Sequence, residues 1–375
     1  MHFLYRNEKK RMKVKLMKTR SVYYCNYSIG ENAYEETVQV CKRYGKRILL
    51  IGGKKGLAAG EERLKQCLAG SGMEILDTVF FGSDCTFSNI HRWAAYAKET
   101  GADMIFGMGG GKALDTAKGA AFEAGLPVFT FPTIAATCAA TTALSVVYRE
   151  DGNFECFYFY DTPANHCFMD LTVIAQAPSC YLQAGMGDTI GKYFECHFAA
   201  RGDRLAHSSA LGREISNMCY EPLVEYGEQA LKDCREKKVS EALEQAVLAN
   251  IVSTGLVSLM VLDDYNCAIA HSVYYGLVLL PGFEEKYLHG NVVAYGVLVQ
   301  LAVDGELEEA AKVKEFLRRL EIPTTLREME VPVEKEYLRD VLAETVAGPD
   351  MEHIPYPVTE DMIFRAMEEV ERLSC

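Results

Sequence analysis

Three residues in the second half of the chain are of the types that bind transition metals. Asp188 follows two glycines, His271 lies in an apolar stretch, and His289 directly precedes a long helical pattern. One carboxylate and two imidazoles fill three corners of a zinc site and leave the fourth for water or a substrate oxygen. Their spacing does not show that they meet. Taken singly, each histidine is more often a hydrogen-bonded core residue than a ligand.

A glycine-rich turn follows the strand predicted at residues 103–106. Gly109, Gly110 and Gly111 precede Lys112, and a helical pattern then continues through Ala121. Such a turn lets the backbone approach a pyrophosphate, and the helix start favours an anion. We place Asp115 in the first helical turn, where it would suit the helix dipole. The turn lacks the GxGxxG spacing, so a purely structural role is equally open.

A second glycine turn follows the strand predicted at residues 47–51. It contains Gly53, Lys54 and Lys55 but no acid. In dinucleotide folds, an acid at a strand end holds the ribose hydroxyls, whereas a cation accommodates a 2′-phosphate. Gly53 and Lys54 are therefore candidate cofactor contacts, although two solvated surface lysines are as good an explanation.

The elements that must position these residues change character midway along the chain. Strand patterns alternate with helical ones in the first half, which predicts βαβ units and a mainly parallel sheet. The predicted strands cover residues 47–51, 75–80, 103–106, 127–131, 154–159 and 172–175. The second half is predicted to be all helix, with long segments at 239–261, 290–303 and 307–320. Pro178 is a predicted hinge, and Ser179 a predicted helix cap. We therefore expect an α/β domain at 21–177 and an all-α domain at 178–375.

Composition narrows the classes of partner and location. The net charge of -13 opposes binding to nucleic acid or anionic lipid. No uninterrupted apolar run reaches about 18 residues, the length that a spanning helix needs. The 13 cysteines lack CxxC spacing, which is typical of reduced thiols in a cytoplasmic protein. Residues 1–20 form a basic segment that we expect to be a loose leader, with Met12 or Met17 as alternative starts.

From Val22 to the C-terminus, the chain resembles the glycerol dehydrogenase-like group of the iron-containing, metal-dependent alcohol dehydrogenases. The resemblance rests on the motifs GGGKALDTAK at 109–118, PTIAAT at 132–137 and ALSVVY at 143–148, and on the segments around Asp188, His271 and His289. It implies a Rossmann-like dinucleotide-binding domain, an all-α C-terminal domain, and cofactor and metal between them, as in the dehydroquinate synthase-like fold. The implied ligands of one divalent metal are Asp188, His271 and His289. The implied cofactor contacts are Gly110, Gly111, Lys112, Asp115, Thr133, Ala136, Thr142, Leu144 and Tyr148.

Two positions depart from the family's patterns. Iron enzymes of the wider family place a further histidine ligand four residues after the aspartate, where this chain has Lys192. The three-ligand set is more similar to zinc enzymes, so zinc is expected, with iron or manganese as alternatives. The glycerol enzymes place a substrate-binding aspartate where this chain has Cys138. Both changes make the site more positive, which favours an anionic substrate, although Lys192 could equally reach solvent.

The resemblance is greatest to a bacterial hydroxycarboxylate dehydrogenase branch that reduces 2-oxo acids with NADPH. We therefore expect an enzyme that uses NADP or NAD and a metal to interconvert short 2-oxo and 2-hydroxy acids, with Lys192 and Cys138 at the substrate. Its expected partners are a small-molecule substrate and further copies of itself, with no nucleic acid and no membrane. The alternatives are a glycerol or diol dehydrogenase, a dehydroquinate synthase-like lyase, and a non-catalytic dinucleotide sensor.

Overall fold

The N-terminal half of the protein is built on a parallel sheet. The computed structural model describes residues 21–374, so the predicted leader lies outside the described residues. The strands are β1 (Asn26–Gly30), β2 (Arg47–Gly52), β3 (Glu74–Phe80), β4 (Met104–Gly109), β5 (Val128–Pro132), β6 (Leu144–Tyr148), β7 (Phe154–Phe159) and β8 (His166–Asp170). Six of them form one sheet in the order β1-β8-β5-β4-β2-β3, and every neighbouring pair in it is parallel.

The central strands are apolar along their whole length because helices cover both faces of the sheet. Four consecutive residues of β2, from Ile48 to Ile51, have no exposed surface, and every residue of β4 and β5 is buried. Runs of this kind, without polar alternation, are typical of parallel strands. The predictions of β2, β3, β4 and β5 and of a mainly parallel sheet are confirmed.

The strand prediction at 172–175 is wrong. Those residues belong to a short helix (Leu171–Gln176), while the strand precedes it as β8. Asp170 caps this helix, since its carboxylate accepts hydrogen bonds from the backbone N–H groups of Thr172 (3.0 Å) and Val173 (3.3 Å). A short run of β-branched residues fits a strand and a buried helix equally well. Here the Asp170 cap favours the helix.

The strand at 154–159 exists but lies outside the parallel sheet. It is β7, which pairs antiparallel with β6 in a separate two-stranded sheet. Sequence reasoning did not predict β1, β6 or β8. β6 is fixed to the main domain by bonds from the Val146 N–H to the Asp115 carboxylate (3.0 Å) and from the Tyr148 N–H to the Cys85 carbonyl (2.8 Å).

After β8, the described residues form only helices and loops, as predicted. In chain order the α-helices are α1 (Thr37–Cys41), α2 (Lys54–Leu68), α3 (Phe87–Thr100), α4 (Gly111–Ala124), α5 (Leu171–Gln176), α6 (Ser179–Ala199), α7 (His207–Ile215), α8 (Glu221–Arg235), α9 (Glu241–Val247), α10 (Thr254–Met260), α11 (Ile269–Leu277), α12 (Phe283–Lys286), α13 (His289–Val303), α14 (Leu307–Arg319), α15 (Arg339–Ala347) and α16 (Glu360–Arg372). Pro178, not Ser179, occupies the cap position of α6, and Ser179 is its first helical residue.

The long helix predicted at 239–261 is interrupted. α9 and α10 are joined by a π-helical segment, Leu248–Ser253, in which each turn holds an extra residue. By length and composition, the continuous stretch Glu241–Met260 could cross a membrane, and 61% of its most apolar window is buried inside the protein. A buried core helix passes the same test.

α13 is the central helix of the second half. Its residues from Val292 to Ala302 are all buried, so it is apolar on every side, as expected of a helix enclosed by others. Glycines allow its neighbours to approach closely. A Cβ on Gly290 would lie 1.8 Å from the Ala184 carbonyl oxygen of α6, and one on Gly296 would lie 2.3 Å from the Ala270 carbonyl oxygen of α11. α6, α11 and α13 therefore meet backbone against backbone.

This packing predicts the effect of a single methyl group. Gly296→Ala should destabilise the protein by about 1–3 kcal/mol, because the added Cβ would collide with backbone rather than with a flexible side chain. The matched control is Gly227→Ala in α8, where a Cβ would meet only side-chain atoms, the nearest at 3.3 Å. Urea unfolding of the parent and of both variants measures the free energy of unfolding of each protein. A Gly296→Ala protein at least as stable as Gly227→Ala would contradict the close approach.

Candidate metal and cofactor site

The three predicted metal ligands converge from the three closely packed helices. Asp188 lies in the middle of α6, His271 near the start of α11, and His289 is the first residue of α13. Gly187 makes this meeting possible, since a Cβ there would lie 2.3 Å from the Gly290 carbonyl oxygen. The glycines beside the ligands are thus part of the site's construction.

The distances from Asp188 to the two histidines suit a tetrahedral site. Oδ1 of Asp188 lies 3.6 Å from Nε2 of His271 and 3.3 Å from Nε2 of His289. Ligands about 2.0–2.1 Å from a tetrahedral zinc ion are separated by about 3.4 Å. Burial alone would raise the pKa of Asp188, but the two nearby imidazoles hold that pKa well below its usual range. The donor set and its ionised carboxylate fit a divalent cation.

A second group of donor atoms shares His271. Ligand atoms of Glu195, Cys267 and His271 lie within 4.8 Å of one another. Both Glu195 oxygens are already engaged, however. Oε1 accepts the backbone N–H groups of Ala268 (2.7 Å) and His271 (2.9 Å), and Oε2 lies 2.6 Å from Nδ1 of His271. The set containing Asp188 is therefore the better cation site. Glu195 contributes to that site through its contact with Nδ1 of His271.

Lys192 points into the protein and not to solvent. Its side chain is 8% exposed, and its ammonium donates to the carbonyl oxygen (2.7 Å) and the side-chain oxygen (3.2 Å) of Asn266. Burial opposes the charge, but the surrounding thiol and carboxylate groups outweigh it and raise the pKa of Lys192. A permanent positive charge thus lies one helical turn from Asp188.

Cys138 lies opposite, in the loop after β5. The charges of Asp188 and Lys192 both act on its thiol, and burial, the larger effect, raises its pKa to about 11. The loop packs closely on α6, because a Cβ on Gly185 would lie 2.0 Å from the Ala135 carbonyl oxygen. The structure therefore brings the predicted substrate residues Cys138 and Lys192 to the predicted metal ligands, with a neutral thiol at Cys138.

Gly53, Lys54, Gly110 and Gly111 follow the carboxyl ends of the parallel strands β2 and β4, whereas Leu144 and Tyr148 lie in β6. From β2 the chain moves to β3 on one side and then to β4 on the other, so the strand order reverses between β2 and β4. Ligands of open α/β sheets bind at this type of crevice. Gly53 caps α2 on one side of it, and Gly110 caps α4 on the other. Both helix starts present backbone N–H groups to the same crevice.

The glycines of the turn between β4 and α4 have distinct structural roles. Gly109 has φ +143°, a conformation that other residues rarely adopt. A Cβ on Gly110 would lie 2.8 Å from the Ile134 side chain, and one on Gly111 3.3 Å from the Thr137 hydroxyl. The turn is thus packed against the loop that carries Thr133 and Ala136.

The position predicted for Asp115 is wrong. It lies in the second turn of α4 and is buried, and it accepts a hydrogen bond from the Val146 N–H and forms an ion pair with Lys118 (2.9 Å). Lys118, which the sequence analysis missed, also donates to the Thr142 hydroxyl (3.1 Å) and to the Leu144 carbonyl. These two charges hold the residues after the loop in place. The i,i+3 spacing of an acid and a lysine was the available signal.

The predicted lysine contacts lie at the rim of the crevice. Lys112 pairs with Asp84, and its ammonium lies 4.5 Å from the centre of the Tyr148 ring. Lys54 lies above the ring of Phe80, at the end of β3, with 4.9 Å between them. The end of β3 therefore presents aromatic rings and a cation where other dinucleotide folds place an acid.

Two histidines outside the metal site form hydrogen bonds with residues that are remote in sequence. His166 Nε2 lies 2.9 Å from the Ser28 hydroxyl, and His353 Nε2 lies 2.8 Å from the Asp203 carboxylate. Both are remote in sequence from their partners, which is why the sequence did not indicate them. The twelve cysteines among residues 21–374 are free thiols.

Comparison with known proteins identifies the family. The family model described as iron-containing alcohol dehydrogenase matches residues 25–170. Hydroxycarboxylate dehydrogenase A of Escherichia coli K12 is 34% identical over 87% of this chain and 89% of its own length. Glycerol dehydrogenase of Pseudomonas putida is 30% identical over 92% of this chain and 95% of its own length. The solved glycerol dehydrogenase of Schizosaccharomyces pombe superposes with a TM-score of 0.86, at 27% identity over 95% of this chain and 91% of that one.

The matches to these three proteins extend through both halves of the chain and agree with the fold described above. The chain therefore belongs to the iron-containing alcohol dehydrogenase family and is a metal-dependent, alcohol-type oxidoreductase of the glycerol dehydrogenase and hydroxycarboxylate dehydrogenase type.

Proposed function

We propose that this oxidoreductase reduces short 2-oxo acids to 2-hydroxy acids, with NADP or NAD and one divalent metal ion, zinc being expected. The observation that carries the proposal is the buried ammonium of Lys192 beside Asp188, opposite the neutral thiol of Cys138. A cytoplasmic location and a homo-oligomeric state are part of the same proposal.

Asp188, His271 and His289 would hold the metal, because Oδ1 of Asp188 lies 3.6 and 3.3 Å from the two imidazole nitrogens, distances that suit a tetrahedral site. When bound, the metal supplies Lewis acidity to a carbonyl oxygen, and the nicotinamide supplies the hydride. The protein contributes by aligning the substrate with the cofactor. The side chain of His289 is 37% exposed, whereas those of His271 and Asp188 are 9% and 13% exposed, so the site is reached from the side of His289.

The cofactor would lie in the crevice between β2 and β4. The N–H groups at the start of α4, next to Gly110 and Gly111, suit a pyrophosphate. Thr133 and Ala136 would line one wall of this crevice, and Thr142, Leu144 and Tyr148 would continue it. Lys118 fixes this wall from within the protein, through its bonds to Thr142 and Leu144.

Lys192 would bind the substrate carboxylate. An ammonium donates three hydrogen bonds, and Asn266 accepts two of them. The third remains for an anionic oxygen. Because Asn266 holds the ammonium in place, little side-chain entropy is lost when the substrate binds. An acid at position 138 would oppose the carboxylate, whereas the thiol does not.

Glycerol or diol oxidation is the second candidate. Similarity in both sequence and structure to proteins named glycerol dehydrogenase supports this candidate. The residue at position 138 separates the two candidates, since the family resemblance implies that glycerol enzymes bind substrate hydroxyls through an aspartate there.

The first functional prediction concerns the metal. Asp188→Asn should lower kcat by at least about 100-fold while it changes the affinity for NADPH little, because the ligand lies apart from the cofactor crevice. Steady-state kinetics and cofactor fluorescence titration measure the two effects. Elemental analysis of the active enzyme should find one divalent metal per chain. Full activity after exhaustive chelation would contradict the metal assignment.

The second concerns the cofactor. NADPH should be used at least as well as NADH, and Lys54→Ala should raise KM for NADPH about fivefold, the equivalent of about 1 kcal/mol for an exposed ion pair. Lys65→Ala, at the far end of α2, is the matched control and should leave KM unchanged. A strong preference for NADH that persists in Lys54→Ala and Lys55→Ala would make these lysines ordinary surface charges.

The third concerns the substrate. Lys192→Ala should lower kcat/KM for 2-oxo acids about 10- to 100-fold relative to an uncharged aldehyde, the equivalent of about 1.5–3 kcal/mol for a charged hydrogen bond. The aldehyde measured with the same variant controls for general damage. Cys138→Asp should shift preference toward diols. Faster oxidation of glycerol than turnover of any 2-oxo acid by the unmodified enzyme would favour the second candidate instead.

A further inference from the structure

Glu195 is a buried carboxylate on the same helix as Asp188. It lies about two helical turns further along α6, on the face shared with Asp188 and Lys192. Its side chain has no exposed surface. A buried carboxylate is costly unless its oxygens are hydrogen-bonded, and all the contacts of Glu195 converge on the start of α11.

One oxygen of Glu195 caps α11. The first N–H groups of a helix lack partners within it, and the residue at the cap position of α11, Ala268, offers no side-chain acceptor. Oε1 of Glu195 accepts the N–H groups of Ala268 and His271 at 2.7 and 2.9 Å. A negative charge at a helix N-terminus is also favoured by the helix dipole. Glu195, a residue of α6, therefore supplies the N-terminal cap of α11.

The other oxygen determines the tautomer of His271. Oε2 lies 2.6 Å from Nδ1, and an ionised carboxylate only accepts hydrogen bonds, so Nδ1 must carry the proton. In a neutral imidazole, Nε2 is then left with its lone pair. Nε2 is the nitrogen that faces Asp188, 3.6 Å away. Metal-binding histidines commonly have such a carboxylate partner.

We propose that Glu195 is a positioning residue of the metal site, which both caps α11 and fixes His271 in the tautomer that binds a cation. The proposal rests on the metal site of the proposed function. The proposal goes beyond that function because it assigns part of the metal affinity to a residue that touches neither metal nor substrate.

Glu195→Gln separates the two roles. The amide oxygen can still accept the N–H groups of Ala268 and His271, so the cap is retained. The amide nitrogen then replaces Oε2, and because it donates, it cannot accept from Nδ1. His271 must move its proton to Nε2 or rotate, and either change removes the lone pair that faces Asp188.

The experiment measures zinc affinity by competition with a chromophoric chelator, on chelator-stripped full-length protein. Glu195→Gln should bind zinc about 10- to 100-fold more weakly than the parent. Its melting temperature should fall no further than that of Asp233→Asn, the same exchange at a buried carboxylate of α8. Asp233→Asn should bind zinc like the parent. Unchanged zinc affinity in Glu195→Gln would overturn the proposal and leave Glu195 as a helix cap.

A second measurement does not depend on metal. Nitrogen NMR of the metal-free parent should show His271 protonated at Nδ1, and the same spectrum of Glu195→Gln should show the proton at Nε2 or a mixture. A parent that carries no proton at Nδ1 would overturn the proposal even if the glutamine variant failed to fold. If the parent has the expected tautomer but binds neither zinc, iron nor manganese, the metal-dependent function fails and the tautomer assignment stands.

Discussion

The close contact of α13 with α6 and α11 is the constraint on which the site depends. Asp188, His271 and His289 are far apart in sequence, and each of their helices must come within backbone contact of another before the donor atoms can meet. Glycines at 187, 290 and 296 remove the side chains that would separate the helices. Each glycine has a low helix propensity and destabilises its helix by about 1 kcal/mol relative to alanine. The close helix contacts that these glycines allow bring Asp188 within 3.3 and 3.6 Å of the two histidines.

The buried charges follow a single electrostatic logic. The pKa of Asp188 is held well below its usual range and that of Lys192 is raised, so a carboxylate and an ammonium lie one helical turn apart on α6. Burial raises the pKa of the nearby carboxyl group of Asp350. In the proposed function, the Asp188 carboxylate would attract a divalent cation, and the bound cation would add to the attraction that the Lys192 ammonium exerts on an anionic substrate. The low dielectric around buried groups strengthens both effects.

The sequence predicted what local patterns and family motifs encode. Apolar runs located β2 to β5, and the motifs located Asp188, His271, His289, Lys192 and Cys138, which the structure brings together. It did not predict Glu195 or Lys118, because their roles arise from contacts with helices and loops that are distant in sequence. The error at 172–175 has a local cause, since Asp170 can end a strand and begin a helix in one step. Asp115 was misplaced because the helix begins at Gly111, earlier than its charge pattern indicated.

The π-helical segment Leu248–Ser253 bears on how this chain can tolerate change in length. It contains Asn250, whose amide donates to the Ala135 carbonyl (2.9 Å), in the loop before Cys138, and more weakly to the Leu182 carbonyl of α6 (3.4 Å). Removing one residue would return the segment to the regular helical period, and Asn250 would lose the position from which its amide reaches the Ala135 carbonyl. Insertions and deletions among descendants of this chain should therefore be excluded from this segment and accumulate in the surface loops, which gives the site an evolutionary signature that substitutions alone would not reveal.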